Sequence, residues 1–155
     1  MKRFIGIDVG KSGAMVSIDE IGTIEIVPFD EESYRDALNR WLNDDCVAAC
    51  EKIHAMPHQG VTSSFTFGQN YGWILGLLYA YKIPVNLVSP MAWKKMFGLQ
   101  LSKDARKSEK KAITISKMKQ IFPSVSLKRT ERSRVDDDGI ADALAIAEFC
   151  RRQFR

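Results

Sequence analysis

The sequence has no hydrophobic run long enough to cross a bilayer: its longest apolar stretch, Trp73 to Tyr81, falls well short of the roughly 20 residues a membrane helix needs. The N-terminal MKRFIGIDVG is basic then apolar, but the run stops at Asp8 and no small-residue cleavage site follows, so this segment is not expected to be a secretory signal peptide. Cysteine is scarce. Cys46, Cys50 and Cys150 form an odd set with no regular framework, which argues against a disulfide-stapled secreted domain and for a reduced, cytoplasmic protein. Cys46 and Cys50 with His54 and His58 offer zinc-binding residue types, yet no paired CxxC spacing accompanies them, and Cys46 to Cys50 has the composition of a buried strand. Internal repeats, low-complexity tracts and linkers are also missing, so the 155 residues are expected to form one domain, 1–155.

What is present is a core and an uneven charge. Hydrophobic residues make up 45% of the chain, enough to bury a real interior without staples. The formal net charge is +4, and most of the basic residues fall between Lys94 and Arg134. A basic stretch beside an acidic cluster suggests a polyanion held near a metal site, and so nucleic acid as the partner.

Hydrophobic patterning lays out an α/β chain. Phe4, Ile5 and Ile7 open an apolar strand ending at Asp8; Ala14 to Ile18 and Thr23 to Val27 follow across short turns, which makes an antiparallel meander. Helical spacing over Glu31 to Leu42 then provides the crossover for a parallel strand, Cys46 to Cys50, ending at Glu51. His54 to Ser64, with Pro57 and Gly60, reads as a loop. Phe65 to Tyr81 reads as a helix with Gly68, Gly72 and Gly76 on one face, either packing closely on the sheet or forming a self-association surface. Val85 to Val88 is the last strand, and Ser89-Pro90 starts a short helix through Met96. A basic loop from Leu101 runs into a helix ending at Phe122, Ser124 to Val135 is a second basic loop, and Asp137 to Gln153 is an amphipathic helix.

The acids carry the chemistry. Asp138 and Asp142 lie one helical turn apart on one face, a spacing at which like charges repel by a few tenths of a kcal/mol. Capping explains an acid at Asp136 or Asp137 but does not need four aspartates. If the strands ending in Asp8 and Glu51 are neighbours and the last helix crosses their ends, Asp8, Glu51, Asp138 and Asp142 converge. Such a carboxylate set suits Mg²⁺ or Mn²⁺, and two ions roughly 3.5–4 Å apart would support in-line phosphodiester hydrolysis.

The segments FIGIDVGKSG, CEKIHAMPHQGVTSSFTFG, LVSPMAWKK and DDDGIADALAIAEF, in that order along nearly the whole chain, resemble RuvC-type Holliday junction resolvases of the branch carried by phages, lactococcal ones in particular. The resemblance implies a ribonuclease H-like fold, a five-stranded mixed sheet with helices on both faces, and a homodimer that uses Mg²⁺ to nick branched DNA in pairs. Carried over by motif, Asp8, Glu51 and Asp142 match the family's acids. Asp138 takes the remaining place with Asp137 as its competitor, because the last two acids here are four apart rather than three. Lys94 resembles a catalytic lysine near the scissile strand, and Lys110 or Lys111 a second. The family's aromatic three residues after the second acid is here His54, with Phe65 and Phe67 as alternatives for stacking on DNA or as core residues. Lys94, Lys95, Lys103, Arg106, Lys107, Lys110, Lys111, Lys128, Arg129, Arg132 and Arg134 are the expected phosphate contacts. The resulting expectation is a crossover junction endodeoxyribonuclease, acting in the host cytoplasm if phage-encoded. The rivals are a non-catalytic junction-binding module and an actin-like or sugar-kinase-like nucleotide-binding protein, the latter disfavoured because those folds need two lobes.

Overall fold

The computed structural model describes residues 1–53 and 60–155. Three strands, β1 (Lys2–Asp8), β2 (Ala14–Asp19) and β3 (Ile24–Pro28), form the expected meander and lead into α1 (Glu31–Arg40). There follow β4 (Asp45–Glu51), α2 (Val61–Ala80), β5 (Val85–Val88), α3 (Pro90–Met96), α4 (Lys107–Ile121) and α5 (Asp138–Phe154). The sheet order is β3-β2-β1-β4-β5, with β1–β2 and β2–β3 antiparallel and β1–β4 and β4–β5 parallel. A five-stranded mixed sheet of this kind is what the strand and crossover pattern calls for, since parallel neighbours need a long connection and hairpins do not.

Strand alternation sorts the residues onto two faces. Phe4 faces the core made with α3, α4 and α5, whereas Ile5 and Ile7 face the core made with α1 and α2. β4 alternates likewise, with Val47 and Ala49 on the α5 face and Cys46, Ala48 and Cys50 on the other. Asp8 and Glu51, continuing the first series in each strand, therefore fall on the α5 face. Their strands pair in register up to Ile7 and Cys50, so the two acids stand side by side at the strand ends.

The central element is α5. From Gly139 to Cys150 every residue except Asp142 is buried, so the helix is enclosed almost all round rather than along the single stripe of Ile140, Leu144, Ala147 and Cys150. Gly6 makes this possible. A Cβ at Gly6 would lie 2.3 Å from the Ala143 carbonyl oxygen and 2.1 Å from the Ala147 nitrogen, so α5 rests directly on the β1 backbone.

Helix α2 departs from expectation at both its start and its face. Val61 to Ser64 are helical rather than loop, and Phe65 and Phe67 sit on the helix. Residues 54–59 of the expected loop, with His54 and His58, lie outside the described residues, and Gly60 precedes the first turn of α2. Gly68, Gly72 and Gly76 do not pack on the sheet: a Cβ at any of them meets nothing within 4 Å. The sheet-facing side of α2 is supplied instead by Ile74 and Leu78.

Candidate metal centre and nucleic-acid face

β1 delivers Asp8, β4 delivers Glu51, and the first two turns of α5 deliver Asp138 and Asp142. The four charges sense one another. Burial, followed by the charges of Asp142, Glu51 and Asp138, holds the Asp8 carboxyl well above its usual range. Burial also raises Asp142, to about 6, with Glu51 and Asp138 adding to the rise while Lys94 and the Thr114 hydroxyl oppose it. Glu51 is raised by burial against the pull of Lys94. The Trp93 indole N–H is buried with no full hydrogen bond among the described residues, yet it lies near enough to Glu51 to favour its charged form.

Lysines border the acids on two sides. Lys94, on α3, acts on both Glu51 and Asp142 and stands 5.1 Å above the Trp93 ring. Lys111, on α4, pairs with Asp138 at 2.7 Å. Of the two sequence candidates for the second lysine, Lys111 is thus the one against the acids; Lys110 extends to the Lys103 carbonyl and lines a recess with Lys94 and Thr114.

Asp137 has other work. Its Oδ1 accepts from the Ile140 backbone N–H at 2.9 Å, capping α5, and both its oxygens are held by Arg129 at 2.7 and 3.0 Å. Burial raises its pKa, but these hydrogen bonds outweigh it and the net shift is downward. Asp138, which caps nothing and is paired only with the half-exposed Lys111, is the better placed of the two competitors for the metal set. Arg129, counted from sequence among the phosphate contacts, is spent on Asp137 and on backbone carbonyls instead.

Among the described residues no three His, Cys, Asp or Glu side chains are gathered tightly enough to hold one ion as they lie. The four acids stand within electrostatic reach rather than in contact. Their chemistry nonetheless fits a hard divalent cation: all donors are oxygen, and the repulsion that adds to burial in raising Asp8 is relieved by positive charge between them. Cys46, Cys50 and Cys150 are free and buried in the core, Cys46 and Cys50 on the sheet face opposite the acids.

The other basic residues lie on elements of the α5 side. Lys95, Lys103, Arg106, Lys107, Lys128, Arg132 and Arg134 are exposed on α3, α4 and the segments flanking α4. These elements anchor to the same core as α5 through Trp93, Met118 and Leu127. Phe65 is 66% exposed, whereas Phe67 packs partly into the α1–α2 core, which favours the core reading for Phe67 alone. Thr114, Trp93 and the Arg129–Asp137 pair escaped sequence reasoning, since each acts through contacts between distant elements. No helix among the described residues is long and apolar enough to cross a membrane.

Neither family models nor curated proteins give a match to this sequence. Solved structures do. A Thermus thermophilus RuvC in complex with a Holliday junction substrate is similar over 99% of this chain and 97% of its own, with a TM-score of 0.56 and 20% identity. A second Thermus thermophilus RuvC structure gives a TM-score of 0.53 and 21% identity over 97% and 96% of the two chains. The chain therefore carries the RuvC fold, the ribonuclease H-like arrangement that its motifs imply.

Proposed function

We propose that this protein is a metal-dependent endonuclease that nicks branched DNA, four-way junctions foremost. One observation carries the reading: Asp8 and Glu51 end neighbouring strands on the face that α5 covers with Asp138 and Asp142, burial and the charges of the other acids raise Asp8, and Lys94 and Lys111 flank the group. Carboxylates raised by burial and by one another beside flanking lysines are the pattern of a functional site. Asp8, Glu51, Asp138 and Asp142 would hold Mg²⁺, or Mn²⁺ as substitute, two ions per site. When bound, such ions supply Lewis-acid activation of water and of the phosphodiester for in-line displacement. The chain's own contribution is positional and electrostatic. Lys94 meets the substrate phosphate beside Glu51 and Asp142, and Lys111 hands charge compensation from Asp138 to the incoming strand. The exposed basic residues of the α3–α4 side receive the arms through phosphate contacts, so shape rather than base sequence is read.

Paired nicks require two sites, and the open face of α2 supplies a surface for a second copy. Val61, Phe65, Gly68, Gly72, Gly76 and Tyr79 recur at three- and four-residue spacing and are all exposed. Glycines at that spacing let two helices approach closely.

The test incubates the protein with a synthetic four-way junction and a matched linear duplex, in Mg²⁺, Mn²⁺ or EDTA, beside Asp8→Asn. Junction-selective nicking that needs metal and disappears in the variant while binding persists is the expected outcome. Binding without cleavage in any metal would replace the nuclease with a junction-binding module.

A further inference from the structure

Arg129 lies outside every motif considered above, yet it joins three separate pieces of the chain. Its Nε and one terminal nitrogen grip Asp137 in a bidentate pair at 2.7 and 3.0 Å, and the same terminal nitrogen donates to the carbonyls of Ser12 and of Gly13, the latter at 3.2 Å. Ser12 and Gly13 form the turn between β1 and β2, four and five residues after Asp8. Asp137 caps α5 immediately before Asp138. The loop that carries Arg129 is tied to the same point, because the Asp137 backbone N–H donates to the Leu127 carbonyl at 2.7 Å.

The fit at this junction is tight. A Cβ on Gly139 would lie 2.1 Å from the Ser12 carbonyl oxygen, so the β1–β2 turn presses on the first turn of α5. Nothing covalent links Asp8 to Asp138 and Asp142 over a shorter path than the whole chain. Their separation is set by how α5 lies on β1 at Gly6 and, at the acidic end, by where this turn meets that helix, and the guanidinium spans that seam. A planar fork with several donors suits the task, since it satisfies a carboxylate and two carbonyls at once.

We propose that Arg129 is a positioning residue which sets the distance between Asp8 and the Asp138–Asp142 pair, and thereby the metal affinity of the site. The inference rests on the nuclease reading above. Arg129 touches neither DNA nor metal in this role.

Charge and geometry predict opposite effects, which makes the test sharp. Removing a cation near an acidic cluster would by electrostatics alone tighten binding of a divalent ion, whereas loosening the seam weakens it. Mn²⁺ binding to the free protein is measured by titration calorimetry for wild type, Arg129→Ala and Arg129→Lys, with junction binding in EDTA measured in parallel. Arg129→Ala is expected to lose about tenfold or more in Mn²⁺ affinity, as for other groups that orient metal ligands, with junction affinity within twofold of wild type. Arg129→Lys keeps the charge and the fold but cannot span carboxylate and carbonyls together, so it should show a smaller loss of the same sign. Arg3→Ala serves as the control for general destabilisation, because Arg3 pairs with Asp44 at 2.8 Å at the far end of β1. It should lower Tm without changing Mn²⁺ affinity.

Unchanged or tighter Mn²⁺ binding in Arg129→Ala overturns the proposal while leaving a wild-type nuclease intact. So does a fall in junction affinity alone, which would make Arg129 a phosphate ligand. So does an equal loss of Mn²⁺ affinity in Arg3→Ala. A wild-type protein that binds no Mn²⁺ overturns both this proposal and the nuclease reading.

Discussion

Asp142 illustrates how a single side chain links the site to stability. Its carboxyl is raised by burial to about 6, so between the ordinary aspartate value near 3.8 and about 6 the folded protein binds more protons than the unfolded chain. Stability contributed by this group therefore falls as pH rises through that window. Thermal melts in EDTA should give a Tm a few degrees higher at pH 5 than at pH 7.5, and Asp142→Asn should reduce the difference, the remainder belonging to Asp8 and Glu51, which burial also raises. The opposite slope, or no effect of the variant, would show that the half-buried Asp142 carboxyl is not desolvated among like charges. Lys111 makes a second test. Its pairing with Asp138 at 2.7 Å puts it against the acids, whereas Lys110 lines the neighbouring recess. Lys111→Met is expected to reduce the nicking rate by at least about tenfold, with Lys110→Met acting more on DNA affinity, as single-turnover rates and junction binding would separate.

Among the elements, α5 and α2 use small residues for opposite ends. On α5 and β1 the small residues bring backbones together, and Gly6→Ala would force a Cβ to 2.1 Å from a helix backbone atom. That substitution should destabilise by at least the upper end of the roughly 1–3 kcal/mol typical of overpacking, measurable by urea unfolding. On α2 the glycines face open space, which overturns the packing reading and makes this face the one on which the proposed self-association is tested. Gly72→Glu should leave the monomer folded and abolish the dimer. Gly72→Ala should stabilise the helix of an isolated chain by roughly 0.5–1 kcal/mol while weakening close approach of two helices. Sedimentation velocity with thermal melts distinguishes these, and an unchanged sedimentation profile in Gly72→Glu would remove α2 from the interface.

At the scale of the whole molecule, charge is divided between a basic α3–α4 side and an acidic centre on the same sheet face. If the arms of a junction engage six or more phosphates, affinity in EDTA should fall about a thousandfold or more between 50 and 200 mM salt. A flat response would mean that the exposed lysines and arginines of this side do not grip the backbone.

Much of this was written in local sequence. Two acid-terminated strands, a pair of aspartates one turn apart and a run of basic residues follow from composition and periodicity, because strand alternation and helical spacing are local rules. The meander and the parallel pairing of β4 with β1 follow from turn and crossover lengths, whereas helices on both faces were what the family resemblance implied and the place of β5 beside β4 came only from the structure. The start of α2 was hidden because Gly60, which has no capping side chain, gives no signal where the helix begins. Which lysine reaches Asp138, which of Asp137 and Asp138 is committed to the helix cap, and which way the α2 glycines face were decided by tertiary structure. Each of these depends on how distant segments are rotated against one another. The Arg129 seam is the clearest case: an arginine in a basic loop is indistinguishable by sequence from its neighbours, and only the meeting of the β1–β2 turn with the first turn of α5 gives it an acid and two carbonyls to bind.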